Sequence, residues 1–269
     1  MSQILLIGAG NMGFSMLQSW TKLEDQAITV IERSDPLRQR AATIGAQAYL
    51  APDDLPPNFI ADVIVVATKP QAVGDVVTSI RHLLRRRTLL VSIAAGVTLG
   101  SLRKFAGEGP AVVRCMPNTP SAVGEGMIVC CANTNTSSVD RDRAKALLSA
   151  VGKVAFIEDE GLMDAVTAVS GSGPAYIFHF LEALSAAGVS VGLPPKLSMT
   201  LAKQTVLGAA KMACSPDADP AILREQVTSP NGTTAAALDI LMSDKENMTV
   251  LLQRAVTAAE RRARELGGS

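Results

Sequence analysis

Five short runs of Val, Ile and Leu limit what this chain can fold into. Gln3–Ile7, Ile28–Glu32, Val63–Ala67, Leu89–Ile93 and Val112–Met116 are apolar almost without a break. A strand with one wet face alternates apolar and polar residues. A strand covered on both faces does not, and two-sided cover is the mark of a parallel sheet. Between the runs lie segments with helical spacing: Met12–Leu23, Pro36–Ile44, Gln71–Leu84 and Leu99–Phe105. That alternation is a βαβ series with right-handed connections. Two further strands, Met127–Cys131 and Val154–Ile157, flank a helix over Ser138–Val151. After Ile157 the texture changes. Ala, Leu, Met and Val recur at helical spacing, with breaks at Gly192-Leu193-Pro194, Ser215-Pro216 and Ser229-Pro230-Asn231-Gly232. The sequence predicts an α/β domain over 1–157, doubly wound with a mostly parallel sheet. An all-helical domain of four or five helices follows over 158–269. So small a helical domain has little interior of its own, so part of its apolar surface is expected to be buried against a second copy.

Composition removes several classes of function. Lys+Arg and Asp+Glu are both 25, so no basic excess is available for a phosphate backbone. Six Phe, two Tyr and one Trp are too few for a stacking platform. Nucleic acid is not an expected partner. Met1-Ser2-Gln3 runs directly into the first strand, with neither the basic segment nor the long apolar core of an export signal. No run of about 18 apolar residues is present, so no membrane span is expected. Cys115, Cys130, Cys131 and Cys214 form no Cys-x-x-Cys pair and read as reduced thiols, which together with the N-terminus points to the cytoplasm. His82 and His179 are far apart in sequence, and no metal site is expected.

Gly8-Ala9-Gly10-Asn11-Met12-Gly13 is a Gly-x-Gly-x-x-Gly segment between the strand ending at Ile7 and a helix opening near Asn11. That context gives the motif its meaning. Gly8 permits the tight turn, Gly10 lets backbone approach a pyrophosphate, and Gly13 lets helix pack on strand. Free N–H groups at the helix start favour the phosphates. The residues at the end of the second strand should read the adenine ribose, and they conflict. Glu32 suits a 2′-hydroxyl, whereas Arg33 and Ser34 suit a 2′-phosphate. NADPH is the expected cofactor, with NADH possible, on the expectation that Glu32 turns outward and leaves Arg33-Ser34 as an anion cradle. Ala67-Thr68-Lys69-Pro70 and Ala94-Ala95-Gly96 end the next strands, at the carboxyl edge where open α/β sheets bind ligands.

Three further segments carry candidate chemistry. Met116-Pro117-Asn118-Thr119-Pro120 is a rigid turn in which Asn118 can place an amide near the nicotinamide. Ser170-Gly171-Ser172-Gly173-Pro174-Ala175-Tyr176 breaks a helical pattern: either a junction of two helices, or exposed backbone at Ser172 and Gly173 against which a small substrate lies. Ser229-Pro230-Asn231-Gly232-Thr233-Thr234 precedes an apolar helix over Ala235–Met242. Its free N–H groups make a carboxylate site, unless a threonine merely caps the helix.

Taken together, these segments resemble the pyrroline-5-carboxylate reductase family over nearly the whole chain. The first is shared by many dehydrogenases; the last three, in this order, are specific. The resemblance implies an NADPH-preferring oxidoreductase acting on a C=N bond in proline biosynthesis. It also implies an N-terminal Rossmann domain and a helical domain that interlocks in a homodimer, with larger assemblies built from dimers. It implies a site completed by two subunits: Thr234 on the ring nitrogen, Thr233 on the carboxylate and Arg33 on the 2′-phosphate. The cofactor is expected along Ile7, Gly8, Ala9, Gly10, Asn11, Met12, Arg33, Ser34, Ala67, Thr68, Lys69, Pro70, Ala94, Ala95 and Asn118. The substrate is expected on Ser172, Gly173, Asn231, Gly232, Thr233 and Thr234. Asn231 is a departure, because many members carry a glycine there. Asn tolerates a positive φ better than other residues with a side chain, so the loop should keep its shape.

Other functions fit less well. A β-hydroxyacid dehydrogenase places a catalytic Lys and then an Asn where this chain has Ile177 and Phe180, and an apolar pair cannot deprotonate an alcohol. An imine reductase for a different ring differs only in pocket walls. A nucleotide sensor has no need of Ser229–Thr234, and binding without turnover would identify one.

Overall fold

The computed structural model describes residues 2–244 and 247–267. The chain packs as two compact units, Met1–Ser172 with Ala259–Ser269, and Gly173–Ala258. The first holds a single eight-stranded sheet. Its strands are β1 (Ser2–Ile7), β2 (Gln26–Ile31), β3 (Gln47–Tyr49), β4 (Val63–Val66), β5 (Leu89–Ser92), β6 (Ala111–Met116), β7 (Gly126–Ala132) and β8 (Gly152–Phe156), in spatial order β3-β2-β1-β4-β5-β6-β7-β8. Every neighbouring pair is parallel except β6–β7, which runs antiparallel with Cys115 opposite Cys130. Strand order reverses between β1 and β4, which opens a crevice at the carboxyl ends of both.

The apolar runs work as read. On β1, Ile4 and Leu6 face one layer while Leu5 and Ile7 face the other, and all four are buried. The first layer includes α1 (Asn11–Trp20) and α5 (Ser138–Leu148), through Met16, Leu17, Trp20, Leu147 and Leu148. The Trp20 indole N–H donates to the Leu147 carbonyl at 2.9 Å, which satisfies its polar edge in the core. The second layer includes α3 (Val73–Ser79) and α4 (Leu99–Ala106). The helix expected over Gln71–Leu84 is therefore shorter, with 3-10 turns at Pro70–Ala72 and Arg81–Leu83 on either side. α2 (Asp35–Thr43) begins at Ser34 as N-cap. Strand β3 was not expected: three residues at a sheet edge have no apolar run to reveal them. Burial pushes the Cys115 thiol well above its usual range, so it stays protonated and inert.

Among the described residues after Phe156 there is no strand. A one-turn helix α6 (Met163–Val166) runs into a π-turn at Thr167–Gly171. Then come α7 (Gly173–Ser190), α8 (Pro195–Ala213), α9 (Pro220–Gln226), α10 (Thr233–Leu241) and α11 (Met248–Gly267). The α7–α8 hairpin is tight. A Cβ on Gly188 would lie 2.1 Å from Ser198 Oγ, and that hydroxyl donates to the Ser185 carbonyl at 2.7 Å. The compact sheet unit thus extends past Ile157, the expected end of the first domain, to Ser172, and takes in the chain from Ala259.

Candidate active site

The glycine corner forms as its sequence requires. Gly8 has φ +96°, and a Cβ there would lie 2.8 Å from the Ala67 carbonyl oxygen. A Cβ on Gly13 would lie 2.2 Å from the Gly8 carbonyl oxygen, so α1 sits on the turn as only glycine allows. Gly10 is the N-cap of α1 and has no side-chain cap, while a Cβ on it would meet nothing within 4 Å. Open space above an uncapped helix start fits an anionic phosphate. Beside it, Thr68 Oγ1 is buried without a partner among the described residues, which suits a ligand hydroxyl or phosphate oxygen. Gly8, Thr68, Glu32 and Arg33 share the wall of one cavity of about 170 Å³ at this corner.

Glu32 corrects an expectation. It does not turn outward. Its Oε2 accepts from the Ala9 N–H at 2.7 Å and its Oε1 from the Ser34 N–H at 2.8 Å. Two backbone donors without other partners draw the carboxylate in, because charge-assisted bonds of this kind are strong. Ser34 lends its backbone rather than a capping hydroxyl. Arg38 is tied to the Glu32 carbonyl and to Asp35. Arg40, which the sequence did not single out, stacks 3.9 Å over the Phe14 ring and donates to the Ala9 carbonyl at 2.7 Å. Arg33 is exposed; its carbonyl accepts from Arg38 Nη1 at 3.4 Å, and its guanidinium has no partner among the described residues.

Along the carboxyl edge, Ala67 continues β4 by donating to the Ile7 carbonyl at 2.8 Å. Lys69 is exposed, Pro70 starts the 3-10 turn, Ala94 is buried and Ala95 exposed. Gly96 adopts φ +75° after Ala95. The next contact is also one that sequence reasoning missed. Glu160 Oε1 accepts from Arg114 on β6 and from the Leu99 N–H at the start of α4, both at 2.7 Å. The Arg114 side chain is only 6% exposed, so this pair holds the loop after β5 from below. The partners lie 46 residues apart, and no local pattern announces them.

Asn118 is more committed than expected. Its Oδ1 accepts from the Met127 N–H at 2.8 Å, and its Nδ2 donates to the Ser170 carbonyl at 3.1 Å. The same Nδ2 also lies 3.5 Å from Ser170 Oγ, so the amide is engaged on both sides. The bond to Ser170 joins two of the motif segments. A Cβ on Gly171 would lie 2.5 Å from Met116 Cε, so Gly171 packs closely against the mobile end of that side chain. Ser172 closes the π-turn by donating to the Thr167 carbonyl, and α7 begins at Gly173, which has open space over its Cα. The junction of two helices is present, and Ser172 and Gly173 are half-buried there.

In the helical unit, Asn231 has φ +58° and is the sole positive-φ residue other than glycine among those described. This is the left-handed turn expected of it. The Gly232 N–H donates to the Ser229 carbonyl at 3.0 Å, and Gly232 is the N-cap of α10. Neither threonine caps the helix, which has no side-chain cap. Thr233 is exposed and Thr234 half-buried, in the first turn of α10 with its unpaired N–H groups.

Known proteins carry the same combination. The family described as pyrroline-5-carboxylate reductase dimerisation matches residues 160–266, and that described as NADP oxidoreductase coenzyme F420-dependent matches 3–96. A pyrroline-5-carboxylate reductase of Pseudomonas aeruginosa is 40% identical over 98% of this chain and 96% of its own. A solved pyrroline-5-carboxylate reductase from Coxiella burnetii superposes with TM-score 0.92 at 35% identity, covering 98% of both chains. The Plasmodium falciparum pyrroline carboxylate reductase, solved with NADP bound, gives 0.83 at 30%, covering 99% of this chain and 98% of that one. Likeness of this extent reaches from the glycine corner to α11, and the chain belongs to the pyrroline-5-carboxylate reductase family.

Proposed function

We propose that this chain reduces the cyclic imine 1-pyrroline-5-carboxylate to L-proline with NADPH or NADH, as the final step of proline biosynthesis. The observation that carries this reading is the start of α10: left-handed Asn231, N-capping Gly232 and two threonines on an uncapped helix of nine residues. An uncapped helix start holds a carboxylate. Bound at the glycine corner, the nicotinamide cofactor supplies the hydride that adds to the imine carbon. Gly8, Ala9, Gly10, Asn11 and Met12 would receive its pyrophosphate. The Arg33 guanidinium, with no partner among the described residues, would meet a 2′-phosphate, and Lys69 and Thr68 the neighbouring oxygens. Thr233 and the first N–H groups of α10 hold the substrate carboxylate. Thr234 bonds the ring nitrogen and orients the imine; the proton on that nitrogen comes in with the protonated imine or from water, since a threonine hydroxyl is too weak an acid to drive protonation. Ser172 and Gly173 offer backbone to the ring. Asn118 holds the Ser170 turn beside the nicotinamide.

By this reading residues 1–157 bind the dinucleotide, and residues 158–269 bind substrate and pair with a second copy in a cytoplasmic homodimer or a larger assembly of dimers. No helix among the described residues is long and apolar enough to cross a membrane. The test is loss of dihydronicotinamide absorbance when 1-pyrroline-5-carboxylate is added to pure protein, with NADPH and NADH in parallel. Rapid, substrate-dependent oxidation is expected. Folded protein that binds nucleotide yet oxidises neither cofactor would discard the assignment.

A further inference from the structure

Strand β6 and the turn after it fasten one segment of chain at both ends. Arg114 Nη1 donates to Glu160 Oε1 at 2.7 Å, in the 3-10 turn Glu160–Leu162. Asn118 Nδ2 donates to the Ser170 carbonyl at 3.1 Å, in the π-turn Thr167–Gly171. The same Glu160 oxygen also accepts from the Leu99 N–H at 2.7 Å. Leu99 is the first residue of α4, and the loop that leads to it from β5 carries Ala94, Ala95 and Gly96 along the carboxyl edge of the sheet. Thr98, the N-cap, takes the Ser101 N–H at 3.1 Å and leaves that of Leu99 to Glu160. The need for a charge at Glu160 comes from Arg114. That side chain is only 6% exposed, and Glu160 is its ion-pair partner among the described residues. A guanidinium placed so deep needs a paired anion. One carboxylate oxygen thus joins the loop after β5, the strand β6 and the segment that runs to Ser170.

We propose that Glu160, anchored by Arg114, is a positioning residue for hydride transfer. It fixes the loop Ala94–Gly96 relative to the turn Ser170–Ser172, and so the nicotinamide relative to the imine, while touching neither. The proposal rests on the reading of those two segments as cofactor and substrate sites. Reacting atoms must be held about 3–3.5 Å apart, and rate falls steeply with small displacements. Single-turnover oxidation of NADPH by 1-pyrroline-5-carboxylate, followed by stopped-flow absorbance, tests it in the wild type, Glu160→Ala, Glu160→Gln and Leu99→Pro. The rate constant reports geometry, and the amplitude reports how much of the protein is folded and active. Glu160→Ala should lower the rate constant about tenfold or more, while the Kd for NADPH, read by dihydronicotinamide fluorescence, changes less than about threefold. Glu160→Gln keeps an acceptor oxygen and should recover most of the rate. Leu99→Pro removes the N–H that Glu160 accepts and keeps the pair with Arg114. The first position of a helix suits proline, and Thr98 before it is already extended. This variant should also slow hydride transfer, and it carries the test should Glu160→Ala fail to fold. A wild-type rate constant in Leu99→Pro and in folded Glu160→Ala, with only amplitude or melting temperature reduced, would make the contact structural and overturn the proposal. A wild-type protein that binds NADPH yet transfers no hydride to the imine would overturn the reading beneath it, and the proposal with it.

Discussion

Met16, Leu17 and Trp20 on α1 are wholly out of water. Phe178 on α7, Leu207 on α8 and Leu251 on α11 are 60%, 49% and 64% exposed. The contrast runs through the two units. The sheet unit closes its own core, with apolar layers on both faces. In the unit Gly173–Ala258, the described residues that are fully buried are Ser185, Ser198 and Ala202, all small. Phe180, Leu184, Ile240 and Leu251 line an open apolar cavity instead. Apolar surface left open across α7, α10 and α11 is what the proposed pairing with a second copy would cover. The lesson is that α/β and all-α parts with similar apolar content differ in self-sufficiency. A sheet offers two faces to cover, and its own crossovers cover them. A few helices enclose too little volume.

Four substitutions sharpen that comparison. The largest effect should come from Leu251→Glu. A carboxylate on the open apolar face removes about 1.5–3 kcal/mol of burial per copy and adds a desolvation cost beyond it. Light scattering should show monomer, and turnover should fall with it. Unchanged mass would mean this face is not the association surface. Gly13→Ala comes next and touches only the sheet unit. Its Cβ has no room against the Gly8 carbonyl, so about 1–3 kcal/mol of stability and most dinucleotide binding should go, with the oligomer intact. Thr234→Ala is the reverse case. It should lower kcat/KM by about 10–100-fold through one lost hydrogen bond, while nucleotide affinity holds. Equal kinetics in that variant would remove Thr234 from the mechanism. The smallest effect belongs to Asn231→Ala, where a left-handed φ costs about 1 kcal/mol. A chemical melt should detect it, and Asn231→Gly should not share it.

The legible parts of the site were those whose physics is local. Gly8, Gly10 and Gly13 act within six residues of one another, and their roles follow from the absence of a Cβ. Asn231 was readable for the same reason, since a left-handed turn restricts residue type on its own. The two-layer burial of β1 could be read from four consecutive apolar residues. What escaped notice was non-local. From sequence Glu32 fits a 2′-hydroxyl or an outward turn equally, because nothing near it in the chain shows that the Ala9 N–H lies 2.7 Å away. Asn118 reads from sequence as a ligand contact alone, because its bonds to Met127 and Ser170 exist only once β7 and the π-turn are in place.

The sequence by itself therefore determined the kinds of element, their order, the glycine corner and the left-handed turn before α10. Each is set by side-chain periodicity or by backbone sterics over a few residues. Only the tertiary structure decided where the charges point. Glu32 turned to two backbone donors, Arg40 stacked on Phe14, and Glu160 joined Arg114 to the start of α4. A buried or half-buried charge takes the partner that best replaces its lost water, and that partner is fixed by the fold rather than by its neighbours in the chain.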